Sequence, residues 1–160
     1  MGDLMILIFL HMIQSAIMIV TGLELFNINY KLKNILIPVM IFGLAIWVVR
    51  KVYVYYHIPF GSHTLVLIVL FCIILRLFVI VKNHYVISIA LLDFSLIMLG
   101  SCLVGYIFNI FHVDSSVVMK SPSLLVVFGQ AENIFLIILL VALKIFKINI
   151  FTIIEKIEVK

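Results

Sequence analysis

Charge is what this sequence has least of. Of its 160 residues only 11% are charged, 66% are hydrophobic, and the mean hydropathy is +1.40. Soluble domains carry about a quarter charged residues, so a soluble globular fold is excluded. Cysteine is nearly absent too. The two present, Cys72 and Cys102, each sit inside an apolar run, which is neither a disulfide framework nor a metal-ligand pattern. No metal and no cofactor is expected. The first residues, Met1-Gly2-Asp3, lack a positive n-region and no small-x-small site follows, so no cleaved signal peptide is expected. Ile6 stands where myristoylation needs Ser or Thr. No HExxH, GxSxG, P-loop or CxxC occurs, and there is no internal repeat.

What is present is a series of apolar runs, each roughly long enough to cross a hydrocarbon core of about 30 Å. The expected fold is all-α, an integral membrane bundle of about five transmembrane helices. The spans are placed at about 4–25, 35–49, 64–81, 85–108 and 124–145, giving one transmembrane domain over 1–145. The breaks have physical causes. Asn27, Asn29, Lys31 and Lys33 separate the first two spans, and Arg50, Lys51, Pro59 and Gly61 the next two. Lys82, Asn83 and His84 make a tight third connection. Residues 109–123 form a polar, turn-rich fourth one containing Asp114, Lys120 and Pro122. Pro38 lies near the start of the second span, where it marks a first turn or a kink.

The net charge is +4. Its basic residues flank apolar runs, so they read as membrane anchors and no nucleic-acid partner is expected. With the N-terminus outside, Lys31, Lys33, Lys82, Lys144, Lys147, Lys156 and Lys160 fall on the cytoplasmic side, against Arg50, Lys51 and Lys120 outside. The positive-inside rule therefore predicts an outer N-terminus and a cytoplasmic C-terminus. Trp47, Tyr53, Tyr55 and Tyr56 form an interfacial aromatic belt around Arg50 and Lys51. Over 146–160, Ile150, Ile153, Ile154 and Ile157 share a helical face among lysines and glutamates. This is an amphipathic tail on the inner leaflet, or a helix that meets a partner.

Polar groups inside a membrane are costly and mark function or interhelical bonding. Arg76 and Asp93 lie roughly 8 and 12 Å from the inner ends of adjacent antiparallel spans, at 1.5 Å per residue. An ion pair between them is the expectation. In the outer half, His11 and Gln14 share a face of the first span, while Gln130, Glu132 and Asn133 lie at comparable depth in the fifth. If those two spans adjoin, the five side chains make an outward-opening polar pocket for a ligand or proton, or a set of interhelical hydrogen bonds. Ser88, Ser95 and Cys102 recur every seven residues on the fourth span and read as close packing. A His–Cys membrane peptidase fits poorly. His63 and Cys72 are nine apart, which turns them about 180° from each other on one helix.

The stretch from Arg50 to Leu65, ending His57-Ile58-Pro59-Phe60-Gly61-Ser62-His63-Thr64-Leu65, resembles the membrane-embedded N-terminal input region of bacterial sensor histidine kinases. The likeness continues at Ile87-Ser88 and from Asp114-Ser115 through Ser121-Pro122 to Phe128-Gly129. Such regions often carry Leu-Pro after the Phe-Gly pair; here Gln130-Ala131 follow, a departure that bears on the fifth span. The resemblance implies a two-component signalling role, with the outer loop nearest the stimulus. There Tyr55, His57, Phe60 and His63 would meet an amphipathic ligand at headgroup level. The kinase part is expected to be missing, since 146–160 is too short for a phosphoacceptor helix and an ATP-binding domain. The function expected is signal perception without catalysis. Its partners are the lipid bilayer and either a second copy or a signalling protein met through 146–160. Two other classes stay open. One is a small transporter or transporter subunit using His11, Arg76, Asp93 and Glu132 as a polar path. The other is an assembly protein of a larger membrane complex.

Overall fold

The computed structural model describes residues 2–56, 58, 62–79 and 83–146, without the side chains of 83, 84, 115, 116 and 119. It is all-α, with no strand among the described residues. Helix α1 runs Gly2–Leu25, α2 Leu32–Tyr55, α3 Ser62–Val79 and α4 Asn83–Ile110. A short α5, Ser115–Lys120, precedes α6, Pro122–Ala131, and α7, Ile134–Phe146. Four of these are long and apolar enough to cross a membrane, and α6 with α7 make a fifth crossing if taken as one bent span. Helices dominate because a backbone in hydrocarbon must satisfy its own hydrogen bonds. Large apolar side chains such as Leu36, Leu65, Leu77, Leu91 and Ile138 remain exposed around the bundle, where lipid would cover them. The molecule is thus a multi-span helical membrane bundle.

The helix ends follow from local chemistry. After α1 the chain takes a left-handed turn at Asn27, φ 50°, and the Ile28 amide donates to the Leu23 carbonyl at 2.9 Å. The Asn27 amide donates to Glu24 at 3.1 Å, completing a Schellman closure. The same closure ends α4, with His112 in the left-handed position and Val113 bonded to Phe108 at 2.9 Å. Pro122 sits in the first turn of α6, where its missing N–H costs nothing. Pro38 lies inside α2, as the seventh residue of that helix.

Two expectations need correction. The polar connection over 109–123 contains a helix, α5. The fifth span is not one continuous helix over 124–145: it breaks after Ala131, and α6 and α7 differ in direction by 49°. The break falls on Glu132 and Asn133, of which Asn133 is fully buried and Glu132 half-buried. The Asn133 amide bonds to Gln130 at 3.0 Å in a tightened turn. The chain bends against Gly100 of α4, where any Cβ would collide with the Glu132 carbonyl.

The helices alternate in direction, so the start of α1 lies with the end of α2 and the start of α6. Lys51 donates to Asp3 at 2.7 Å, and a Cβ on Gly2 would stand 2.7 Å from the Pro122 ring. Helix α1 adjoins α2, α4 and both halves of the bent fifth span, and α3 packs between α2 and α4. The core between α2, α3 and α4 is aromatic. Phe42 and Phe71 have ring centroids 4.7 Å apart, and Phe71 meets Phe94 edge-on at 6.1 Å.

Candidate functional site

The polar side chains gather where α1 meets the break in the fifth span. Residues Leu7–Met12 of α1 form a π-helical turn, which widens the helix and leaves carbonyls without their usual partners. The Gln130 amide fills that need. Its Nε2 donates to the Phe9 carbonyl at 2.6 Å and to the Leu10 carbonyl at 3.3 Å. Asn133 Nδ2 donates in turn to Gln130 Oε1 at 3.1 Å. Two glycines let the backbones approach. The Leu10 side chain occupies the space beside Gly129, and Met12 with the His11 carbonyl packs on Gly43 of α2. Ser15, fully buried, donates to the Val39 carbonyl at 2.9 Å and ties α1 to α2.

Arg50 joins this cluster from the end of α2. Half-buried, it lies within electrostatic reach of Glu132, His11 and His63. Glu132 is also hydrogen-bonded to Ser101 of α4. His63, at the start of α3, presents its ring edge-on to Tyr53 with centroids 5.8 Å apart. The end of α2, the start of α3, the π turn of α1, Ser101 and the break of the fifth span therefore share one electrostatic neighbourhood.

His11 and Gln14 are buried, and His11 Nδ1 and Gln14 Oε1 have no hydrogen-bond partner in the structure. Gln130, Glu132 and Asn133 lie beside α1 and α4, as described above. Tyr55 is 77% exposed and stacks edge-on with Tyr56. It borders a shallow surface groove with Lys51, Val52 and Val54. His57 and Phe60 lie outside the described residues, as does 147–160 of the tail. The Arg76–Asp93 ion pair is not made. Asp93 is fully buried and neither carboxylate oxygen has a hydrogen-bond partner, while Arg76 is exposed in a second π-helical turn, Leu75–Val79. A buried polar group without a partner costs about 1–3 kcal/mol, more when charged, so Asp93 is an expensive residue to place there.

Sequence reasoning missed Arg50 and Ser101. Arg50 read as an outer anchor, although it stands seven residues after Gly43 and shares its helical face. Ser101 follows Gly100, the glycine that admits the break.

At the other end, Tyr30 Oη donates to Glu24 Oε1 at 2.8 Å, clasping the first connection. Partial burial, the hydrogen bond and the Glu24 charge push the Tyr30 phenol from 10 up to about 12.

The fold and this polar cluster define the class, an α-helical multi-span membrane protein with four helices long and apolar enough to cross, or five if the bent pair α6–α7 is one span. No protein family, no curated protein and no solved structure matches the chain.

Proposed function

We propose that this chain is a membrane sensory input module without catalysis of its own. It is threaded with its N-terminus outside and its C-terminus cytoplasmic, as the distribution of lysines favours. The observation that supports the reading is the position of Arg50. It opens the stretch that resembles sensor-kinase input regions, and it lies within reach of Glu132 at the break of the last span. An amphipathic ligand engaging the 53–63 loop would shift Arg50, and Arg50 would shift the hinge from which α7 descends toward the cytoplasm. The segment 146–160 would pass that movement to a second copy or a signalling protein.

The test is a fusion of the chain, after Lys160, to the cytoplasmic part of a sensor histidine kinase. Stimulus-dependent phosphorylation is expected, altered by Tyr55→Ala, His57→Ala and His63→Ala, and uncoupled from stimulus by Arg50→Gln. A reporter at Lys160 that behaves as extracellular would overturn the threading. The buried, unpartnered Asp93 favours a second reading, a small transporter. It replaces the first if the fusion gives no stimulus-dependent output while vesicles carrying the chain accumulate a solute in a manner abolished by Asp93→Asn.

A further inference from the structure

Arg50 and Glu132 are opposite charges that do not meet. A guanidinium carries five N–H donors. Among the described residues Arg50 makes no hydrogen bond and no ion pair. Glu132 accepts from Ser101 instead, and Asp3 is held by Lys51 at 2.7 Å. Three glycine contacts fix where the two charges stand. Gly43 of α2 lies against Met12 and the His11 carbonyl, Gly129 of α6 against Leu10, and Gly100 of α4 against the Glu132 carbonyl. Helices α1 and α6 run the same way, so Glu132, three residues past Gly129, stands within about a turn of His11. Arg50 is seven residues past Gly43 on the same face of α2, about 10 Å farther along the axis. Helical side chains lean toward the N-terminus of their own helix, so Arg50 reaches back toward that level. There it lies within electrostatic reach of Glu132 and His11. An unmet donor also lies on α2, and an unmet acceptor on the fifth span. Trp47, between Gly43 and Arg50 on that face, has its Nε1 buried without a partner, and Asn133, next to Glu132, has its Oδ1 buried without one.

We infer that Arg50 and Glu132 bind a zwitterion between them, its carboxylate or phosphate on Arg50 and its ammonium on Glu132. A plain anion on Arg50 would be repelled by Glu132, and a plain cation on Glu132 by Arg50. A neutral ligand would leave both charges unpaired, which is costly away from bulk water. A zwitterion gives each charge its opposite. Carboxylate and phosphate oxygens match the planar fork of a guanidinium. An α-amino acid carries its ammonium two bonds from the carboxylate carbon. With a hydrogen bond of about 2.8 Å at each end, it bridges two charges that feel each other without touching. The headgroup of phosphatidylethanolamine offers the same two groups on a longer link. Such a zwitterion would be the stimulus of the sensory reading, and that role rests on that reading; its binding does not.

The purified full-length chain would be followed through thermal unfolding in detergent. A ligand that binds only the folded state raises the melting temperature saturably. One arm adds pools of the standard L-α-amino acids. The other adds phosphatidylethanolamine or phosphatidylglycerol to the micelles, which separates a free ligand from a lipid headgroup. The expected result is a saturable rise with a zwitterion from at least one arm. The N-acetyl and methyl-ester forms of an active amino acid, or phosphatidylglycerol in the lipid arm, should give none. Arg50→Gln and Glu132→Gln should each raise the half-saturating concentration about tenfold or more, as for a lost charge-assisted hydrogen bond. If neither variant folds, the singly charged forms decide on the unsubstituted chain. No saturable rise in either arm would overturn the proposal. So would an equal rise with the singly charged forms, or a half-saturation that either variant leaves unchanged. Binding without stimulus-dependent output from the kinase fusion would uphold the site and remove only the sensory reading.

Discussion

The bundle has two seams of opposite character. Between α2, α3 and α4 the contact is aromatic, with Phe42, Phe71 and Phe94 in series. Between α1, α4 and the bent fifth span it is polar, with Gln14, Asp93, Gln130 and Asn133 buried or half-buried and several of their atoms without partners. In a bilayer, lipid tails are as apolar as the side chains, so an aromatic seam is held by packing alone. It tolerates one arrangement. A polar seam with surplus acceptors has more than one way to pair its groups. The first seam is the frame, and the second is where movement is possible.

That contrast can be broken in a graded way. The largest effect is expected in the frame. Phe71→Ala removes a fully buried ring that touches two others and should destabilise the bundle by about 3–5 kcal/mol. A reversible unfolding titration in mixed micelles measures it, and a cost below that of an ordinary exposed substitution would show that the aromatic seam is not the frame. Gly100→Ala comes next. The added methyl would strike the Glu132 carbonyl, so the break must shift or the helices part, at about 1–3 kcal/mol. A spin-label distance across Ala131 and Ile134 should change with it, which a merely local strain would not produce.

A smaller effect tests the link between loop and hinge. Arg50→Gln and Glu132→Gln should each destabilise, and a double-mutant cycle should return a coupling of about 0.5–3 kcal/mol. Additive effects would separate α2 from the hinge and remove the support for the sensory reading. The smallest concerns the Tyr30–Glu24 clasp. Tyr30 has a raised folded pKa, so whatever stability it contributes is complete below pH 10 and fades as pH climbs from 10 toward about 12. Tyr30→Phe should erase that part of the alkaline loss of stability, read from melting temperatures between pH 9 and 12.

Hydropathy made the spans legible because the bilayer imposes one length on every crossing. It could not reveal the break in the fifth. Glu132 and Asn133 read equally well as two polar groups tucked into a straight helix, and only the neighbouring Gly100 lets the backbone turn there. The Arg76–Asp93 pairing failed for a related reason. The tight third connection fixes the depth of two residues but not their rotation. Leu75 is fully buried, and Arg76 follows it about 100° further round, turned away from the core. The polar set on α1 and the fifth span was visible as residues, since buried polar groups in apolar runs stand out. Their hydrogen bonds were not visible, because the π turn that frees the Phe9 carbonyl has no sequence signature of its own.

That π turn has a consequence for the reading frame of the gene. A wide turn is an α-helix with one residue too many. Deleting a single codon among those for residues 7–12 would restore regular winding without turning what lies before it, because the wide turn has already absorbed the extra residue. Asp3 would keep its place beside Lys51 and Gly2 beside Pro122, while the carbonyls freed by the wide turn regained partners within their own helix and Gln130 lost its acceptors. A one-codon deletion there cuts the polar link between α1 and α6 and leaves both ends of α1 where they are.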